Sequence, residues 1–120
     1  MTVLVVEDSV EVRGRLLDLL ASLPEIEVVG VAATNTEAAD LFETFAPEVV
    51  TLDVSLRDGS SLRTLRRLMA AARPPVVIVL TDHAHPHYRE RYLEAGARHF
   101  LVKSDMAQLQ DLLRDLLDKK

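Results

Sequence analysis

Five short runs of mostly β-branched and apolar residues, at about 2–6, 27–32, 48–52, 76–80 and 99–102, alternate with five stretches of helical periodicity, and nothing else in the chain limits its fold as strongly. A strand that is apolar at nearly every position buries both faces, and an intervening helix supplies the cover. The sequence is therefore predicted to form an α/β protein with a doubly wound, five-stranded parallel sheet. In the first helical stretch Val12, Leu16, Leu19, Leu20 and Leu23 recur at helical spacing until Pro24 ends the pattern. Thr34 and Glu37 stand in capping-box spacing before Ala38, Leu41, Phe42 and Phe45, a stripe that stops at Pro47. The third helix follows Gly59 with Leu62, Leu65, Leu68 and Met69. The fourth runs from about Pro86 to Leu93 and is stopped by Ala95 and Gly96. Asp105 and Gln108 open the fifth, which carries Leu109, Leu112, Leu113 and Leu116. The fourth helix offers little aliphatic surface, so its docking is expected to be the weakest, as suits a moving part.

A length of 120 residues matches one domain, residues 1–120, and leaves nothing over for an output domain. The longest apolar run, 74–80, is far short of the ~20 residues of a membrane span, so no membrane segment is expected. Met1 leads directly into the first strand without a basic segment or a cleavage site, which predicts no export signal and a cytoplasmic protein. The chain has no cysteine, which excludes disulfides, thiolate nucleophiles and thiolate metal sites. A formal charge of -5 argues against nucleic acid as a partner, and Arg63, Arg66 and Arg67 then read as a solvated helix face.

In an open parallel sheet the ligand site lies beyond the carboxyl ends of the strands. That rule selects Glu7 and Asp8 after the first strand, Asp53 after the third, Thr81 after the fourth and Lys103 after the fifth. Alone, Glu7-Asp8-Ser9 reads as a helix start, Thr81 as an ordinary strand-end threonine and Lys103 as a solvated charge. Together they read differently, because two carboxylates about 4 Å apart repel by about 4 kcal/mol at an effective dielectric of 20. Three gathered acids must either protonate in part or take up a cation, and an oxygen-only site suits Mg²⁺, or Mn²⁺ in its place. A carboxylate so placed can act as a nucleophile toward a phosphoryl group, with Lys103 neutralising one side and the Thr81 hydroxyl donating to a phosphoryl oxygen.

These residues, in this order and on these elements, resemble the receiver domains of two-component response regulators over the whole chain. The motifs are the acid pair Glu7-Asp8, the acceptor in Val50-Thr51-Leu52-Asp53, Thr81 after Val79-Leu80, and Lys103 after Gly96-Ala97-Arg98-His99-Phe100-Leu101-Val102. The resemblance implies a flavodoxin-like (βα)5 receiver fold and a single-domain response regulator. Asp53 would take a phosphoryl group from a sensor histidine kinase or a histidine phosphotransfer protein. Mg²⁺ would be held by Asp8, Asp53 and the Ser55 backbone carbonyl, with Glu7 acting through water. Thr81 and Phe100 would form the switch, altering the face of the fourth helix, fifth strand and fifth helix that binds a downstream protein. Ser55 and His83 would tune the lifetime of the aspartyl phosphate. No independent substrate is implied, so the chain is expected to be a self-modifying switch rather than an enzyme.

Three positions depart from the family's common pattern. Arg57 and Ser104 stand where many receivers have proline, and Asp82 replaces a small residue beside the expected phosphoryl position. These departures leave a rival reading, a pseudo-receiver that binds its partner regardless of phosphorylation. A phosphatase with an aspartyl nucleophile would need a second acid where Ser55 stands, and a flavin carrier would not place Glu7 and Asp8 at its phosphate loop. His83, His85 and His87 alternate along one loop, but without cysteine they read as solvated side chains, and His99 reads as a strand residue.

Overall fold

A computed structural model describes residues 1–82 and 85–119. The main sheet contains β1 (Thr2–Val6), β2 (Glu27–Ala32), β3 (Val49–Asp53), β4 (Val76–Thr81) and β5 (His99–Val102), all parallel, in the order β2-β1-β3-β4-β5. The helices are α1 (Val10–Ala21), α2 (Asn35–Phe45), α3 (Leu62–Met69), α4 (Pro86–Glu94) and α5 (Met106–Asp118). Between β3 and α3 the chain forms a two-stranded antiparallel ribbon, Ser55–Leu56 against Gly59–Ser60.

Alternation along the strands sends successive side chains into two separate cores. Val3 and Val5 of β1 pack with Leu16 and Leu20 of α1 and Leu109 and Leu113 of α5. Leu4 and Val6 point the other way, to Ala38 of α2, Leu65 and Leu68 of α3 and Tyr92 of α4. Burial on both faces is what allows β1 to be apolar from Val3 to Val6. The α2 stripe is shorter than its sequence suggests. Leu41 and Phe42 pack on the core, but Phe45, the last residue of the helix before the left-handed cap at Ala46, is 47% exposed.

Local signals fix the helix starts. Thr34 accepts from the Glu37 amide at 3.1 Å while the Glu37 carboxylate reaches back to the Ala33 amide at 3.1 Å. Asp105 accepts from the Gln108 amide at 3.1 Å. Helix α4 starts differently: Pro86 occupies its first turn and the His85 ring accepts from the His87 amide at 3.1 Å. At its far end Gly96 has φ +116°, and a Cβ there would lie 2.7 Å from Met69 Cγ, so both backbone and space require glycine.

The expectation for α4 is corrected in one respect. Among its described residues Tyr92 alone is buried, yet it is 2% exposed and carries a phenol that no aliphatic count reveals. Helix α4 is thus anchored by one fully buried aromatic side chain with polar contacts, with Leu93 partly buried against the same core, while Tyr88 on the same helix is 46% exposed.

Candidate functional site

Strands β1 and β3 are direct neighbours and run in the same direction, so Glu7, one residue past β1, and Asp53, the last residue of β3, reach the same edge. Strand β5 lies one strand further out, beyond β4, and delivers Lys103; the Lys103 amide donates to the Thr81 carbonyl at 2.7 Å and continues that ladder past the strand ends. The side chains then converge. Lys103 Nζ lies 2.9 Å from Glu7 Oε2 and 2.9 Å from Asp53 Oδ2. One carboxylate oxygen each from Glu7, Asp8 and Asp53 lies within 4.8 Å of the others. Glu7, Asp53 and Lys103 are 1%, 6% and 5% exposed, so these are ion pairs withdrawn from water.

Withdrawal from water sets the electrostatics. Asp53 is raised from 3.8 to about 6, first by burial and then by its carboxylate neighbour Glu7, with Lys103 pulling in the opposite direction. Lys103 is raised above its ordinary value: burial acts to lower it, but hydrogen bonds and charge from Asp53 and Glu7 together outweigh burial. One ammonium thus faces three carboxylates. Glu7 Oε2 also accepts from the Ser9 amide at 3.0 Å, whereas Glu7 Oε1 is buried with no hydrogen-bond partner. An excess of negative charge and an orphaned buried oxygen fit a hard divalent cation with bound water, as an all-oxygen donor set requires.

The remaining sequence-selected residues fall around this cluster. Thr81, 7% exposed, lines a cleft of about 490 Å³ together with Asp53, Val54, Ser55, Ser60, Asp82, His85 and Tyr88. Asp82 is exposed and adds an acid to the wall of that cleft. Phe100 is buried, 6% exposed, with its ring centroid 6.1 Å from that of Tyr92. His83 lies outside the described residues. Among the described residues no peptide bond is cis, so the bond between Lys103 and Ser104 is trans.

The loop that lacks proline at Arg57 is held by other means. Asp58 accepts from the Asn35 amide at 2.8 Å, from Asn35 Nδ2 at 3.1 Å and from the Thr36 amide at 3.4 Å, so the ribbon turn caps α2. Those bonds, with the Asn35 backbone amide foremost, hold the Asp58 carboxyl below its ordinary value. At the base of the ribbon, Ser61 Oγ donates to the carbonyl of Asp53 itself, and its amide donates to the Val54 carbonyl at 2.9 Å. The Tyr92 hydroxyl donates to the same Val54 carbonyl at 3.1 Å and lies 3.0 Å from Ser61 Oγ. Sequence reasoning about the site did not find Ser61 or Tyr92. A tyrosine beside Leu93 in a helix of otherwise few apolar residues was the available signal.

The family model of the response regulator receiver domain matches residues 3–114. The protein-glutamate methylesterase/protein-glutamine glutaminase of Thiobacillus denitrificans is 37% identical over 121 residues, covering 94% of this chain and 34% of that protein. A protein of the same description from Anaeromyxobacter dehalogenans is 42% identical over 104 residues, covering 84% and 28%. The chain therefore spans about a third of the length of the curated relatives it matches. The response regulator domain of Thermotoga maritima CheB superimposes with a TM-score of 0.85 at 27% identity, over 99% of this chain and 94% of that one. The receiver domain of a DNA-binding response regulator from Colwellia psychrerythraea gives 0.90 at 22% identity over 98% of each, a likeness of fold. With a match that runs from the first strand into the last helix, this chain belongs to the response regulator receiver domain family of two-component systems.

Proposed function

We propose that this receiver domain accepts a phosphoryl group on Asp53 from the phosphohistidine of a sensor histidine kinase or histidine phosphotransfer protein, and that the aspartyl phosphate changes its affinity for a protein target. The observation that carries the reading is the buried ammonium of Lys103 held 2.9 Å from both Glu7 and Asp53, with Asp8 alongside. In the transfer a carboxylate oxygen of Asp53 forms a bond to phosphorus while the phosphorus–nitrogen bond of the donor breaks, and the electron pair stays on the leaving imidazole. Such a reaction depends on positioning and charge neutralisation. Lys103 holds the Asp53 carboxylate in place and opposes charge on the transferring group, and the Thr81 hydroxyl, at the cleft wall, donates to a phosphoryl oxygen. Asp8, Asp53 and the Ser55 carbonyl would hold Mg²⁺, or Mn²⁺ as a substitute, with Glu7 acting through water. The ion supplies the second positive charge that three carboxylates and a phosphoryl group need.

Phosphorylation then draws Thr81 toward the phosphoryl group and frees space into which Phe100 turns from its buried position, changing the face of α4, β5 and α5 presented to the target. We assign to this chain the signal-receiving step and its own dephosphorylation, and not the esterase or glutaminase chemistry named for its longer relatives. Ser55, at the rim of the cleft, meters access of hydrolytic water, and His83 is the second position assigned that role.

The deciding experiment is labelling with a small-molecule phosphodonor and Mg²⁺. Wild type should gain one acid-stable, base-labile phosphate, and Asp53→Asn none. Labelling of Asp53→Asn to the wild-type level overturns the assignment, and a wild type that takes no label favours a phosphorylation-independent interaction module.

A further inference from the structure

Ser61 is the N-cap residue of α3, yet its hydroxyl caps nothing in that helix. A serine at this position ordinarily accepts from an amide of the first turn. Here the hydroxyl is turned away, donating to the carbonyls of Asp53 and Val54, with the Val54 contact at 3.1 Å, and lying 3.0 Å from the Tyr92 hydroxyl. Tyr92 comes from α4, more than thirty residues along the chain, and its hydroxyl also reaches the Val54 carbonyl at 3.1 Å and Ser60 Oγ at 3.4 Å. The main chain of the acceptor residue and its successor is therefore tied to two helices by a buried, uncharged cluster of hydroxyls.

The hydrogens in this cluster are fewer than its contacts. Ser61 and Tyr92 carry one hydroxyl hydrogen each, and these serve the Asp53 carbonyl, the Val54 carbonyl and the contact between the two hydroxyls. Tyr92 can donate to Val54 or to Ser61, so the same atoms support two hydrogen-bond arrangements differing in which loop atom holds the helix. Apolar contact behaves otherwise. The ring of Phe100 against that of Tyr92 tolerates sliding, whereas an O–H···O bond weakens steeply once distance or angle departs from its narrow range. A shift of the Val54 carbonyl must be followed by the phenol or the bond is lost. Apolar packing opposes such following only weakly, because Tyr92 is the one fully buried residue among the described residues of α4, beside a partly buried Leu93.

We propose that Tyr92 is a positioning residue whose hydroxyl, with Ser61, couples α4 to the main chain at Asp53 and Val54, so that a displacement of this loop is delivered to α4 directly. Phe100 lacks a hydroxyl, and Tyr92, one ring away, supplies the directional contact. The coupling is a property of the resting fold. Only the cause of the loop displacement, phosphorylation of Asp53, rests on the function proposed above.

Hydrogen–deuterium exchange on wild type and on Tyr92→Phe, each alone and with Mg²⁺ plus beryllofluoride as a phosphoryl mimic, separates the two. In the resting proteins the loss of one net hydrogen bond should speed exchange roughly fivefold in both residues 54–61 and residues 86–95, leaving α1 and α5 unchanged. Ser61→Ala, which keeps the Tyr92 bond to the Val54 carbonyl, should speed exchange in residues 54–61 and, to a smaller extent, in residues 86–95, and serves if Tyr92→Phe does not fold. With the mimic bound, the change seen in wild-type α4 should shrink at least about threefold in Tyr92→Phe at unchanged mimic affinity. Faster resting exchange confined to α4, or an α4 response of full wild-type size in Tyr92→Phe, overturns the coupling. A wild type that ignores the mimic overturns the phosphoacceptor reading instead, and the resting comparison still decides the coupling.

Discussion

Asp53 belongs to two polar clusters at once, and they differ in kind. Its side chain sits among charges, with Glu7, Asp8 and Lys103, where one carboxylate oxygen of Glu7 has no partner and Asp53 is raised to about 6. Its main-chain carbonyl sits among neutral hydroxyls, Ser61 and Tyr92, every one of which is hydrogen-bonded. The charged cluster is incomplete: it responds to protons, cations and anything that alters the balance of charge. The neutral cluster is complete and responds only to where its atoms are. A switch needs both behaviours, one to sense a chemical event and one to carry displacement, and here a single residue holds the junction.

The largest test of this contrast is Lys103→Met, which removes the one ammonium while keeping the chain's apolar stem. It leaves Glu7 and Asp53 buried and uncompensated, so metal-free protein at pH 7.5 should lose about 3–5 kcal/mol of unfolding free energy in urea titrations. Added Mg²⁺ should restore part of that loss. A cost below about 1 kcal/mol would show that water reaches the cluster freely and that its charges are not confined.

Asp53→Asn should act in the opposite direction by a smaller amount. An acid whose folded-state value is raised, here from 3.8 to about 6, stabilises the fold fully below its unfolded value, and that contribution is lost as pH rises through the folded one. In the presence of chelator the variant should therefore gain on wild type between pH 4 and pH 7, by about 2–3 kcal/mol at the upper end. Saturating Mg²⁺ should close the gap by stabilising wild type, by roughly 2.7 kcal/mol at a hundredfold excess over Kd. Thermal melts across this range would contradict the assignment if the two proteins ran parallel.

The charged cluster was legible in the sequence and the neutral one was not, for a physical reason. Acids and a lysine at the carboxyl ends of successive strands are brought together by topology alone, so the alternation of strands and helices was enough to predict that Glu7, Asp53, Thr81 and Lys103 meet. Ser61 and Tyr92 are brought together by the entry angle of α3 and the way α4 lies on the sheet, which no spacing rule encodes. Ser61 holds the N-cap position of α3, but its hydroxyl does not cap that helix. Phe45 differs from expectation as well: helical spacing places it on the α2 stripe, but at the last position of that helix it is 47% exposed, and periodicity does not encode where along its length a helix stops being covered. In the same way the ribbon's rigidity, in question without proline at Arg57, depends on Asp58 reaching Asn35 and Thr36 across 22–23 residues of sequence.

The smallest effect is the most discriminating. Ser61→Ala leaves the Val54 carbonyl its bonds from the Ser61 amide and the Tyr92 hydroxyl but strips the donor from the Asp53 carbonyl, which should cost about 1 kcal/mol. Because no titrating group enters that contact, the cost should be the same at pH 5 and pH 8, and the same with chelator as with Mg²⁺, in urea titrations under the four conditions. A cost that grows when Asp53 ionises would mean that the hydroxyl cluster senses the charge on the side chain as well as the position of the main chain, and the division of labour between the two ends of Asp53 would fail.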